Sequence, residues 1–93
     1  MGADRLTMSR GVSFSRTDGG AVLLDGRSGK YFKVNETAAV AIESVLSNQS
    51  RSEYISQIVQ CVAREFDEEF EVVDRDVREV VDFIVTRRLG ELH

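Results

Sequence analysis

The chain has 93 residues, of which 42% are hydrophobic and 30% are charged, a composition typical of one small globular domain. Its 16 Asp and Glu residues outnumber its 12 Lys and Arg residues, and the net charge of −4 disfavours binding to nucleic acid or to an anionic membrane. A single cysteine, Cys61, excludes an internal disulfide, and a single histidine, His93, excludes a histidine-based zinc site, so we expect neither a metal nor a cofactor.

Residues 1–9 are predicted to be a flexible N-terminal segment ahead of a single domain over residues 10–93. The segment contains Asp4 and Arg5 among scattered apolar residues, and it lacks the continuous apolar stretch of a secretory signal. No part of the chain approaches the roughly 20 apolar residues of a membrane span. We therefore expect a cytoplasmic protein.

The glycine-containing first third of the chain predicts three short strands. Val12–Phe14 alternates apolar and polar residues, and Gly19-Gly20 marks a turn before the apolar run Ala21–Leu24. Asp25–Gly29 is a second turn cluster, and Lys30–Val34 resumes an alternating, β-rich pattern. Strands joined by such short turns form an antiparallel meander.

The remaining chain has helical periodicity and contains no proline. Asn35 is predicted to cap a first helix that closes near residues 47–48, because its side chain can accept a hydrogen bond from a first-turn amide. Ser50 and Glu53 have the spacing of a capping box for a second helix, and Asp74 is predicted to cap a third that ends before Gly90. The predicted fold is α+β with the order βββααα, similar to a winged helix-turn-helix.

The residue types needed for catalysis are not brought together by this pattern. A nucleophile needs an oriented base beside it, but His93 follows the glycine that ends the last helix. Cys61 lies among apolar residues of the second helix, where a thiol usually fills space in the core. The acidic run over residues 67–71 lacks the spacing of a calcium loop. We expect a protein that is not an enzyme.

Strands followed by three helices also describe winged-helix regulators that bind DNA. The recognition helix of such a protein should present a basic face to the phosphates. Here the third helix alternates acidic and basic residues until its last turn. DNA binding therefore remains an alternative that the charge pattern does not favour.

The third predicted strand lies at the edge of the meander, so one side of its backbone lacks a partner. An extended peptide can add to such an edge as a further strand, with its side chains in the adjoining groove. Lys30 and Lys33 have another explanation, because lysines on an edge strand protect it from aggregation even where no peptide binds. A structural subunit without a peptide ligand is thus a second alternative.

Residues 20–35, GAVLLDGRSGKYFKVN, followed by Glu36-Thr37-Ala38, resemble the PqqD-like family of peptide recognition elements. The resemblance extends over about residues 10–92, although Ala38 stands where the family often has Gly and Ile42 where it often has Trp. The positions that match the family pattern are Asp25, Gly29, Tyr31, Phe32, Asn35, Thr37, Asp76 and Leu89–Leu92.

This resemblance implies a protein that binds the leader of a ribosomally made precursor peptide by strand addition. The subtype it most resembles serves lasso-peptide maturation, with a separate cysteine protease as leader peptidase and an ATP-dependent cyclase as partners. A peptide chaperone for a radical enzyme in another modified-peptide pathway remains an alternative. The strand residues expected to contact the peptide are Lys30, Tyr31, Phe32, Lys33 and Val34. Those expected from the third helix are Val73, Val77, Val80, Val81 and Ile84, with Arg75 and Arg78 available to leader acids.

Overall fold

The computed structural model describes residues 4–93, which form two antiparallel sheets and three helices. In chain order the elements are β1 (Arg5–Met8), β2 (Val12–Thr17), β3 (Gly20–Asp25), β4 (Lys30–Asn35), α1 (Glu36–Leu46), β5 (Ser52–Tyr54), α2 (Ile55–Phe66), α3 (Phe70–Thr86) and β6 (Gly90–Leu92). The predicted α+β class, with a three-stranded antiparallel sheet followed by three helices, is confirmed.

The predicted meander is the sheet formed by β2, β3 and β4, with β3 in the middle. Gly19, with a φ of 86°, closes the first hairpin, and Gly29, with a φ of 75°, precedes β4; both values favour glycine. Phe14, Leu23 and Phe32 are paired across the three strands and therefore share one face. Because Leu23 is fully buried, this face is the one that covers the core.

A second sheet, not predicted from the sequence, has the strand order β5, β1, β6. Its central strand contributes Leu6 and Met8 to the core, each with only 1% of its surface exposed. The prediction of a flexible segment over residues 1–9 is therefore wrong for residues 5–8, and residues 1–3 lie outside the described residues. Local sequence does not reveal β1 because its partners are three-residue strands that follow α1 and α3 in the chain.

The first helix begins as predicted and the second does not. Asn35 caps α1, and its Oδ1 accepts a hydrogen bond from the Ala38 amide at 2.9 Å. Ser50 and Glu53 do not form a capping box, because β5 pairs with β1 and α2 begins only at Ile55. Glu53 instead accepts a hydrogen bond from Asn48 Nδ2 at 3.0 Å. Pairing between strands has thus displaced a local capping motif.

The third helix also differs from the prediction at both ends. It begins at Phe70 rather than near Asp74, which accepts a hydrogen bond from Arg78 Nε at 3.0 Å. Arg88, with a φ of 60°, takes the left-handed position after the helix, and the Leu89 amide donates to the Ile84 carbonyl at 2.8 Å. Gly90 is not the helix terminator; a Cβ there would lie 2.6 Å from the Thr7 carbonyl oxygen, so close strand packing requires glycine.

The core lies between the inner face of the meander, β1 and the three helices. Ala38 and Ile42, the two departures from the family pattern, are both buried in it, and the half-buried Cys61 packs against it. The largest fully buried side chains include Leu6, Met8, Leu23, Ile42, Ile58, Ile84 and Leu89. Among the helices of residues 4–93, none combines the length and the apolar character needed to cross a bilayer.

Asp25 organises the turn that leads into β4. One carboxylate oxygen accepts hydrogen bonds from the Arg27 amide at 3.1 Å and from Arg27 Nε at 3.2 Å, and the other accepts from Ser28 Oγ at 3.0 Å. Donation by the Arg27 backbone amide is the main cause that lowers the pKa of Asp25, and the Arg27 and Ser28 side chains add to it. The ionised carboxylate therefore favours the folded turn.

Replacing Asp25 by asparagine is expected to lower the melting temperature at neutral pH. Because the pKa of Asp25 is lowered in the folded state, its stabilising contribution is present above the ordinary aspartate range and is lost as the pH falls through the lowered pKa. The difference between the wild type and D25N should accordingly shrink in strong acid, as measured by thermal melts over a pH series. A difference that persists unchanged in strong acid would contradict this role.

Candidate functional site

The register of the meander determines which backbone groups of β4 are free. The Gly26 amide donates to the Gly11 carbonyl at 2.8 Å, so the neighbouring pair Val12 and Asp25 does not exchange hydrogen bonds. The backbone groups of Asp25 therefore point towards β4, where they meet Lys30. Since hydrogen-bonding direction alternates along a strand, Lys30 and every second residue after it bond to β3.

The remaining residues of β4 direct their backbone groups away from the sheet. The amide and carbonyl of Tyr31 and of Lys33 point outwards, and within residues 4–93 they have no backbone partner. The Asn35 amide also points outwards. Two acceptors and three donors thus lie along an exposed edge, in the arrangement that an added strand requires.

The side chains of β4 divide between two faces. Phe32 and Val34 point towards the helices, and the Phe32 ring meets the Phe83 ring edge to face with centroids 5.8 Å apart. Tyr31 and Lys33 lie on the opposite, outer face, where Tyr31 is 70% exposed. A strand added to β4 would likewise place alternate side chains on the helix side and on the outer side.

A groove runs between β4 and α3, next to the free edge. Its first concavity has a volume of about 340 Å³, and its lining residues include Val34, Thr37, Ala38, Asp76, Glu79, Val80 and Phe83. Its second has a volume of about 590 Å³, and its lining residues include Lys30, Phe32, Thr86, Arg87 and Arg88. Phe83 lines the first and Phe32 the second, so the contact between the two rings lies between the concavities.

The two concavities differ in charge. Asp76 and Glu79 border the first, and among residues 4–93 Lys33 is the single basic residue there. Lys30, Arg87 and Arg88 border the second, together with Arg27 and Asp25, which form an ion pair at 3.2 Å. The Arg87 guanidinium lies over both aromatic rings, 5.9 Å from the Phe32 centroid and 5.6 Å from the Phe83 centroid.

The structure brings only part of the predicted site together. The strand residues from Lys30 to Val34 and the helix residue Val80 border the groove or its free edge. The predicted wall residues Val73, Val77, Val81 and Ile84 are buried in the core, and none of them is more than 4% exposed. Arg75 and Arg78 do not line the groove, and Arg78 pairs with Asp74.

The helical wall of the groove is a second stripe of α3, and of its residues only Val80 was among the predicted contacts. Val80, Phe83 and Arg87 follow one another at helical spacing, and Asp76 and Glu79 extend the same side. The first stripe, with Val77 and Ile84, faces the core. The sequence of α3 contains more Val and Ile residues than one buried stripe needs, which indicates a second apolar side but not which residues form it.

Three solved structures have closely similar folds, each with a TM-score of 0.73. TbiB1 in complex with the TbiA(beta) leader peptide is 25% identical over 91% of this chain and 94% of its own. A lasso peptide synthetase B1 complexed with the leader peptide is 28% identical over 92% of this chain and 96% of its own.

The third is the PqqD truncation of Methylobacterium extorquens PqqCD, described as a stand-alone recognition element for ribosomally synthesised, post-translationally modified peptides. It is 21% identical over 98% of this chain and 93% of its own. A comparison with curated protein sequences found no match. The family profile of coenzyme PQQ synthesis protein D (PqqD) matches residues 20–89, which include the whole of β3, β4 and the three helices. The chain therefore belongs to the PqqD family, as the motif around β4 predicted.

Proposed function

We propose that this protein binds the leader segment of a ribosomally made precursor peptide as a fourth strand on β4. The observation that carries the proposal is a free strand edge, with outward backbone groups at Tyr31 and Lys33, beside a groove lined by apolar residues. Two proteins of similar fold, 25% and 28% identical to this chain, have structures in complex with leader peptides. Those complexes support the same type of ligand here.

The contacts available to such a strand account for moderate affinity. Four or five backbone hydrogen bonds, each contributing about 0.5 to 1.5 kcal/mol, combine with apolar contacts to Val80 and Phe83 in the groove. A total near −8 kcal/mol corresponds to a dissociation constant of about 1 μM. Affinity of that size permits release of the precursor after processing.

The proposed role of the bound state is presentation of the precursor to separate enzymes, without catalysis by this chain. Cys61 and His93 do not line the groove, whose polar side chains include carboxylates, guanidinium groups and the Thr37 hydroxyl. Holding the leader beside a cysteine protease or an ATP-dependent cyclase raises the effective concentration of the core peptide at that enzyme. If the partner is instead a radical enzyme of another modified-peptide pathway, the leader of that pathway's precursor would bind to the same edge of β4.

Leader binding is expected to depend only weakly on salt. Backbone hydrogen bonds and apolar contacts are little screened, whereas a protein with several phosphate contacts loses orders of magnitude in affinity between about 50 and 200 mM salt. The test is a fluorescence titration at both salt concentrations, with a leader peptide from the short open reading frame encoded nearest to this protein and with random duplex DNA. Steeply salt-dependent binding of the duplex, without leader binding, would overturn the proposal in favour of a DNA-binding regulator.

A further inference from the structure

Charged side chains are segregated along the groove, and most of them have no partner of opposite charge. Asp76 and Glu79 lie at the end where β4 finishes, and Lys30, Arg87 and Arg88 lie at the end where β4 begins. Lys33 also borders the acidic end, but its side chain belongs to the outer face of the sheet. The four charges that matter for a strand in the groove are therefore Asp76, Glu79, Lys30 and Arg87. Within residues 4–93, no side chain of opposite charge approaches any of these four within 4.0 Å. Arg27 is excluded from this set because it pairs with Asp25 and donates to the Arg88 carbonyl.

An added strand that continues the antiparallel pairing of β2, β3 and β4 would meet these charges at fixed positions. Its residues opposite Val34, Phe32 and Lys30 would point into the groove, and along the added chain they are positions n, n+2 and n+4. The side chain at n would enter the first concavity, which Asp76 and Glu79 border, and the side chain at n+2 would lie over the two aromatic rings. The side chain at n+4 would enter the second concavity, which Lys30 and Arg87 border.

The spacing of the charges on α3 fits this register. Four residues of an extended strand span about 13 Å. Arg87, the residue directly after α3, lies eight residues beyond Glu79, which corresponds to a helical rise of about 12 Å. One charged side chain of the peptide can therefore reach Glu79 while another, four residues later, reaches Arg87.

We propose that this protein selects leaders with the order basic, any residue, apolar, any residue, acidic, read from the N-terminus. The inference rests on the proposed function and adds the chemistry of the ligand. A Lys or Arg at n would face Asp76 and Glu79, an apolar side chain at n+2 would cover the aromatic pair, and an Asp or Glu at n+4 would face Arg87 and Lys30. Charge complementarity of this kind fixes the register of a strand that backbone bonds alone would allow to slip.

Two isomeric synthetic peptides of equal net charge provide the test. Both have the same threonine and valine flanks; one contains Lys-Thr-Leu-Thr-Glu and the other Glu-Thr-Leu-Thr-Lys. Titration into the 15N-labelled protein measures both affinities, and shifts of the Tyr31 and Lys33 amides report whether the peptide occupies the β4 edge. The first peptide should bind about five- to tenfold more tightly, because two partly screened ion pairs form in one order and like charges meet in the other.

The variant R87E should reduce this preference to within about twofold or reverse it. R75E is the matched control, because it makes the same charge change on the same helix outside the groove, and it should leave the preference unchanged. Equal binding of the two peptides with shifts at the β4 edge would overturn the charge pattern and leave strand addition standing. An equal effect of R75E and R87E would also overturn it. Absence of any amide shift at the β4 edge would contradict both the charge pattern and strand addition on β4.

Discussion

Replacing Lys33 by proline is expected to weaken leader binding strongly while the protein stays folded. The Lys33 amide points away from β3, so its loss removes no hydrogen bond of the sheet. It does remove a donor to the added strand, and the proline ring projects where that strand must lie. The affinity for the leader should fall by more than about tenfold, because the lost hydrogen bond and the steric clash both weaken binding. Fluorescence polarisation measures the affinity, and circular dichroism verifies the fold.

Two further variants separate the backbone effect from others. K33A removes the same side chain but retains the amide, so it should bind the leader with an affinity close to that of the wild type. F32P removes an amide that bonds to β3, so it should destabilise the meander itself. A folded K33P protein that binds the leader as tightly as K33A would refute strand addition on β4.

Replacing Ile84 by alanine is expected to cost about 2 to 5 kcal/mol of folding stability, because a fully buried aliphatic side chain leaves a cavity when it is truncated. Ile84 lies on the core stripe of α3, next to the close approach of Gly90. Urea denaturation measures the change. The affinity of the folded fraction for the leader should change little, since Ile84 does not line the groove.

The variant F83A should show the opposite pattern. Phe83 is only partly buried, and it lines the groove and contacts Phe32. Its truncation should lower leader affinity about tenfold, as expected for a central aromatic contact, with a smaller loss of stability than I84A. If I84A instead lowers affinity more than F83A does, with little loss of stability, the assignment of the two stripes is wrong.

Local sequence was sufficient for the meander and for the first helix. Gly19 and Gly29 occupy the positive-φ positions of the two turns, and Asn35 caps α1, because each depends on neighbours within a few residues. The motif around Lys30–Val34 also identified the family and the free edge. These features follow from alternation, turn chemistry and capping, all of which are short-range.

Tertiary structure decided the remaining features, because each depends on partners distant in the chain. The strand β1 forms only where β5 and β6 meet it, and pairing with β5 delays the start of α2 to Ile55. The helical period of α3 shows that apolar residues occupy more than one face, but only packing assigns Ile84 to the core and Phe83 to the groove. Register likewise determined that the Lys33 amide, rather than that of Phe32, is free, since hydrogen-bonding direction is a property of paired strands and not of one strand alone.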